Sequence, residues 1–347
     1  MGRALLLAAV LVGVIAGSAE GRSNGECSSA VVVSTKTGKV LARPLVSPLG
    51  VVTDGRDGWF VAGIRLWHVR RDGRIDARWH SPVRRSLADR LRASAPEMLT
   101  RHGNRLYIAG RQRVVAVDAW TGRVLWRSPA IAGPTVKGWR ATITALAAGS
   151  RSLYVGGTFT SLGGVRRVGL AALDPATGRL LSWRAPPVHN LALLALSSSR
   201  LYFSGTSTVK AVRAADGRWT SFVPRGRIAN SVMLAVWGRY VLIGCASRWS
   251  TCDTTSGVFN GRTGEPVRKF AFDEVRGAGA VAFSGSTAYL GTGSEGDFGN
   301  QNFLIAIDLR TGKFKPWFPR TGYYVTAASM AVSGDRVFVA GAFCPGP

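Results

Sequence analysis

Acidic residues are scarce in this 347-residue chain: 19 Asp and Glu face 45 Lys and Arg, a formal charge of +26. Such a surplus favours anionic partners and opposes self-association, so a monomer is expected. Only 4 histidines (His68, His80, His102 and His189) are present, and no pair has metal-ligand spacing. The 4 cysteines (Cys27, Cys245, Cys252 and Cys344) form neither a C-x-x-C nor an adjacent pair, and no histidine lies near them. The usual zinc-site spacings are thereby absent. The one long apolar run, residues 4–16, is too short to span a bilayer securely and lacks stop-transfer charges. No nucleic-acid recognition module is present, and no nucleophile–base pair can be nominated from spacing.

What the chain has in abundance is one turn, A-x-D-x-x-T-G in its fullest form. Its copies end at Gly38, Gly73, Gly122, Gly178, Gly217, Gly264 and Gly312. Five close on Thr-Gly and two on Asp-Gly (Asp72-Gly73, Asp216-Gly217). Upstream of each lies an aromatic or apolar pair running into glycine, beginning at Phe60, Tyr107, Tyr154, Tyr202, Val241, Tyr289 and Phe338. The steps between these are 47, 47, 48, 39, 48 and 49 residues. A fixed period in this range belongs to solenoids, propellers or arrays. Residues 142–183 exemplify the unit: strands over 143–147, 153–157, 169–174 and 179–183, with a polar loop at 158–167. The turn aspartates Asp118, Asp174 and Asp308 accept hydrogen bonds from backbone N–H groups two residues on, and the closing glycine takes a positive φ. Their role is structural.

Four-stranded units repeated radially give a β-propeller, and no capping unit is present to end a linear array. The predicted fold is all-β, a seven-bladed β-propeller whose last blade is closed by strands from both ends, about residues 27–45 and 326–347. Residues 1–19 read as a signal peptide, with Arg3, the apolar run and the small residues Gly17-Ser18-Ala19. Residues 20–347 then form a single propeller domain, secreted or extracytoplasmic. The remaining 328 residues supply about 47 per unit. In an exported chain the 4 cysteines are expected as two structural disulfides, Cys27 with Cys344 and Cys245 with Cys252, since both pairs hold the same loop position. Four free thiols or a metal site are the alternatives. The arginines are scattered about one per turn, a solvated surface rather than a groove for nucleic acid.

The unit LYVGGTFTSLGGVRRVGLAALDPATGRLLSW resembles the repeat of exported bacterial β-propeller proteins. The segments VVAVDAWTGRVLW and LIAIDLRTGKFKPW are similar to the PQQ-like repeat, A-x-D-x-x-T-G-x-x-x-W, in which a tryptophan docks between neighbouring blades. Trp126, Trp183 and Trp317 hold that place here, and Trp79, Phe222 and Phe270 approximate it. The resemblance spans the mature chain and implies fold more than activity, because the repeat serves dehydrogenases and assembly scaffolds alike. The quinone-dependent dehydrogenases of that family carry adjacent cysteines, an additional blade and a calcium site with a catalytic Asp. This chain lacks the first two and shows no evident channel Asp; it also lacks sialidase-type Asp boxes.

Propeller topology sets A–B and C–D turns on one face and B–C and D–A loops on the other. The former read as tight throughout. The long segments (158–167, 246–253, 293–302, and those around 80–96, 128–140 and 271–277) fall on the loop face, where a ligand is expected. Candidate ligand-binding residues there are His189, Asp273, Glu274, Glu295 and Asp297, with Asp253 nearby. The oxygen-rich stretch 293–302 is a candidate for calcium or a solvated hairpin tip; it does not have EF-hand spacing. Residues 81–95, with Val83, Leu87 and Leu91 among four arginines, read as a short basic amphipathic helix that packs on the blades or touches an anionic surface. The expected function is a non-catalytic binding or scaffold module for an anionic glycan, a cell-wall polymer or a protein, with no nucleic acid, no transmembrane span and no cofactor. The alternative is a PQQ- or metal-dependent oxidoreductase, or another propeller enzyme, with PQQ or Ca as cofactor.

Overall fold

The computed structural model of the chain describes residues 28–46, 48–63, 65–81, 99–110, 112–134, 141–205, 208–225, 231–245, 257–267, 278–292, 304–317, 319 and 324–344. Among them there is no helix. The chain begins with β1 (Ser28–Ser34) and β2 (Val40–Ala42), then β3 (Pro48–Thr53), β4 (Trp59–Gly63) and β5 (Leu66–Val69). Next come β6 (Leu99–His102), β7 (Arg105–Ala109), β8 (Val114–Asp118), β9 (Val124–Arg127) and a short β10 (Ile131–Ala132). The third unit holds β11 (Ile143–Ala148), β12 (Leu153–Gly157), β13 (Ser161–Leu162), β14 (Val165–Arg166) and β15 (Leu170–Leu173). Then follow β16 (Leu193–Leu196), β17 (Arg200–Ser204), β18 (Val209–Arg213), β19 (Ser231–Trp237), β20 (Tyr240–Cys245) and β21 (Gly257–Asn260). The last strands are β22 (Ala278–Ser284), β23 (Thr287–Thr292), β24 (Leu304–Asp308), β25 (Phe314–Lys315), β26 (Tyr324–Ser333) and β27 (Arg336–Cys344).

These strands form small antiparallel sheets in chain order: β3-β4-β5, β6-β7-β8-β9, β11-β12-β15, β16-β17-β18, β19-β20-β21 and β22-β23-β24-β25. A further sheet, β2-β1-β27-β26, joins the two ends of the described chain, with Val32 opposite Phe338. The first strands of the meanders touch in the sequence β3, β6, β11, β16, β19, β22, β26, and β26 meets β3. The hydrophobic core lies between sheets, not within them. Val31, Val33 and Val337 pack with Tyr289 and Trp317 of the preceding sheet, while Ala30 and Phe338 pack with Trp59 and Val61 of the following one.

Tight hairpins follow from glycine. Gly103, Gly238, Gly285 and Gly334 each open a two-residue turn with φ of 55–57°, as a type II′ hairpin demands. Blade-like tightness fails in one place. The connection from Thr53 to Trp59 is a five-residue loop, 54–58, not the tight turn expected there. The expected polar loop at 158–167 also differs, because it folds into the β13–β14 hairpin, which pairs with β10. The strand expected over 179–183 shrinks to a single bridge, Leu173 with Leu180. Leu181 N still donates to Ala172 O at 2.9 Å, so the pairing continues in part towards Trp183.

That reach recurs. Trp79 Nε1 donates to Ala119 O (2.9 Å), Trp126 Nε1 to Pro175 O (3.2 Å), Trp183 Nε1 to Ala214 O (3.0 Å) and Trp317 Nε1 to Ser34 O (2.7 Å). Tyrosines of the second strands join them: Tyr107 O–H donates to Pro175 O (3.1 Å), Tyr154 to Ala214 O (2.7 Å) and Tyr202 to Gly261 O (2.7 Å). Tyr154 and Trp183 meet edge to face at 5.3 Å, so two aromatic donors converge on one carbonyl of the neighbouring turn. Phe222 packs against Tyr202 in the same place without a donor, and Phe270 lies outside the described residues.

The turn itself explains both donor and glycine. Asp174 Oδ1 accepts from Ala176 N and Thr177 N, both at 2.8 Å, and Asp118 serves Trp120 N and Thr121 N likewise. These bonds, with that from the Thr177 hydroxyl, hold the Asp174 carboxyl below its ordinary pKa. Gly178 takes a φ of 71°, and a Cβ there would also run into the Trp126 indole. The turn at Gly73 is one residue shorter than its relatives: Gly73 N donates to Arg70 O, three residues back, whereas Gly122 N donates to Asp118 O, four back.

Candidate functional site

The shortened turn and the enlarged hairpin belong to the same sheet, β3-β4-β5, and together they make room for a polar cluster. In most units the residue opposite the signature aromatic is alanine: Ala116 opposite Tyr107, Ala172 opposite Tyr154, Ala211 opposite Tyr202, Ala306 opposite Tyr289. In β5 it is His68, opposite Phe60. The imidazole stacks on Phe60 at 4.8 Å and stands edge-on to Trp120 of the neighbouring sheet at 6.3 Å.

Both ring nitrogens are engaged. Nε2 lies 3.0 Å from Asp54 Oδ2, and Nδ1 lies 3.0 Å from Asp76 Oδ2. The side chains of His68 and Asp54 are 11% and 5% exposed, that of Asp76 25%. Asp54 Oδ1 accepts from Arg56 N at 2.7 Å and Gly58 N at 3.0 Å, which fixes the 54–58 loop. An ionised carboxylate has no proton to donate, so both imidazole nitrogens must donate, and the cluster is complete only with His68 as imidazolium. Burial pushes the His68 pKa down, but the hydrogen bonds and charges of Asp54 and Asp76 outweigh it and leave it raised. Burial likewise pushes Asp54 and Asp76 up, and the His68 and backbone donors bring both below the ordinary carboxylate range.

Two arginines border this cluster. The Arg56 guanidinium lies 3.8 Å from the centroid of the Trp120 ring, and that of Arg101 lies 6.0 Å from it. Arg101, on β6, rests against the backbone of Gly55, whose φ of 76° and missing Cβ admit it. Its Nε is buried without a hydrogen-bond partner. Burial, together with the neighbouring Arg56 charge, lowers its pKa, although Asp54 pulls the other way.

Chemically, a histidine with both nitrogens held by carboxylates has no free lone pair for a metal or a substrate proton. No group of three His, Cys, Asp or Glu suited to a metal is found among the described residues. The arrangement can order a loop and display two cations over an indole.

The structure places this cluster on the turn face, opposite the loop face where sequence reasoning looked. His189 is exposed before β16, beside Asn190 with its φ of 54°. Asp253, Asp273, Glu274, Glu295 and Asp297 lie outside the described residues, as do the helix expected at 81–95 and the stretch 293–302. Cys27 and Cys252 also lie outside them, and Cys245 and Cys344 are described only as strand-end backbone positions. The signal missed was comparison between repeats, since His68 stands where alanine is the rule.

No family model and no curated protein sequence matches this chain. Among the described residues, no helix is long and apolar enough to cross a membrane. Similar solved structures include the computationally designed Ika8 protein, at 14% identity and TM-score 0.56, covering 86% of this chain and 95% of that one. BamB from Moraxella catarrhalis, a β-propeller, is similar at 15% identity and TM-score 0.50, over 91% of this chain and 90% of its own. Likeness at this identity concerns fold alone, and the fold is a β-propeller.

Proposed function

We propose that the chain is an exported, seven-bladed β-propeller with PQQ-like repeats that acts as a binding scaffold for an anionic partner. Seven blades are supported by the circuit of first strands from β3 to β26 and by the sheet that β1 and β2 complete. Export is supported by residues 1–19 and disulfide closure by the position of the cysteines. A rigid ring latched by aromatic donors suits presentation of a fixed surface rather than closure around a substrate. The observation that carries the binding role is the turn-face junction of β3-β4-β5 with β6-β7-β8-β9, where Arg56 of a hydrogen-bonded loop and Arg101 of β6 form no ion pair with a carboxylate among the described residues. With +26 overall, the long-range field would concentrate polyanions at such a surface.

The test is retention of the purified mature chain on immobilised anionic and neutral matrices over a salt gradient. The reading expects retention on the anionic matrices, lost as salt rises. Passage through all of them at low salt would refute it. N-terminal sequencing of exported protein, starting after Ala19, would test the leader.

A further inference from the structure

We infer that the Arg56–Trp120–Arg101 surface is a docking site for an acidic protein segment. The inference rests on the scaffold reading above and names its partner. Arginine is common on this molecule, and several copies at the turns are matched by acid. Arg71 pairs with Asp335 at 2.8 Å and Asp57 at 3.6 Å, Arg70 with Asp72 at 3.6 Å, and Arg225 with Glu265 at 2.9 Å. Among the described residues, neither Arg56 nor Arg101 lies within ion-pair distance of a carboxylate, although both stand near Asp54. That carboxylate is already committed: one oxygen faces His68 and the other accepts two backbone N–H groups.

Trp120 makes the site specific to one junction. Its equivalents two residues after the turn's first position are Lys36, Ala176, Ala215, Arg262 and Arg310, so only this turn carries an aromatic there. Arg56 is exposed, with its guanidinium carbon 3.8 Å from the centroid of the indole. The planar guanidinium fork presents paired donors that fit a carboxylate bidentately. Arg101 adds a second charge whose own solvation burial has already reduced. Successive carboxylates of a Glu- or Asp-rich segment would meet one guanidinium each, with the stems of their side chains over Trp120.

Isothermal titration of the mature chain with a Glu-Ser repeat peptide, against a Gln-Ser repeat as neutral control, tests this. Binding of the acidic peptide alone is expected, weakened about tenfold by Arg56→Gln, which is exposed and keeps its backbone bond to Asp54. Arg218→Gln, on the C–D turn of the β16-β17-β18 unit, should change it less than about twofold. Equal losses in the two variants would overturn the site, because the attraction would then be diffuse. Binding to a uronic-acid polysaccharide but not to the peptide would overturn the partner class while leaving the scaffold reading standing. No binding to either at low salt would overturn both.

Discussion

Replacing Asp54 by asparagine alters the charge of the buried cluster with almost no change of shape, and its cost should depend on pH. Asparagine Oδ1 can still accept from Arg56 N and Gly58 N. Its Nδ2, however, points two hydrogens at His68 Nε2, which also carries one while the imidazole is charged. The pair is nearly buried, at 5% and 11% exposure, so breaking it should cost about 3 kcal/mol, the lower end for removing one partner of a buried pair. Asp76 remains and keeps the loss from being larger. Neutral His68 would instead accept from the amide and donate to Asp76, a satisfied arrangement. In the native chain the raised His68 pKa contributes stability below the ordinary value of 6.5, lost as pH climbs through the folded pKa. The lowered Asp54 and Asp76 values contribute above 3.8 and fail as pH drops through theirs. The cluster is therefore strongest between those two ordinary values. Calorimetry should find the native Tm falling from about pH 5.5 to about pH 9. The variant should lie about 4 °C lower at the acid end and about 1 °C or less at the alkaline end. Equal losses at both ends, or a native Tm indifferent to pH, would refute the imidazolium assignment.

The two duties of the turn glycine can be separated by denaturant unfolding. Gly103→Ala, where φ is 57° and the Cβ meets open space, should cost about 1 kcal/mol, whereas Gly178→Ala must also displace Trp126 and should cost about 3 kcal/mol or more. In a double-mutant cycle, Tyr154→Phe and Trp183→Phe should each cost about 1 kcal/mol, since Ala214 O keeps one donor. Together they should exceed their sum as that carbonyl loses both; strict additivity would argue against a shared acceptor. For the cysteines, the strand that ends at Cys344 pairs with the one that begins at Ser28, with Ser28 opposite Phe343. Loop-closure entropy assigns about 5 kcal/mol to a bond spanning the ring and about 2 kcal/mol to one across the short 245–252 loop. Cys27→Ser should accordingly lower the Tm more than Cys245→Ser; the reverse order would count against ring closure.

Local rules written in the sequence carried a good part of this structure. Asp174 and Gly178 state their turn because an Asx acceptor and a positive φ are properties of a few adjacent residues, and the hydrogen bonds found are those expected. Trp126, Trp183 and Trp317 likewise dock on the following sheet, a consequence of their spacing from the turn. Where a segment's shape depends on its neighbours, reading along the chain fell short. Residues 158–167 look like a polar loop, yet β10 offers them an edge to pair with, and that edge comes from about 30 residues upstream. Residues 179–183 have the composition of a strand, but their pairing is reduced to the Leu173–Leu180 bridge and the bond from Leu181 N to Ala172 O.

The cluster at His68 shows the same division. By itself the sequence determined the repeating unit, its strand content and its turns, because these follow from periodicity and from backbone chemistry within a few residues. It also holds the anomaly, a histidine at a position that is alanine in four of the other six repeats and apolar in all six, although only alignment of the repeats exposes it. Tertiary structure alone decided that Asp54, 14 residues before His68, and Asp76, 8 after it, close on opposite edges of one imidazole. It alone decided that Arg56 and Arg101, from adjoining sheets, share the Trp120 indole. Burial creates that site: the same charges in an extended chain would be solvated and independent, and only packing between two sheets forces them to answer one another.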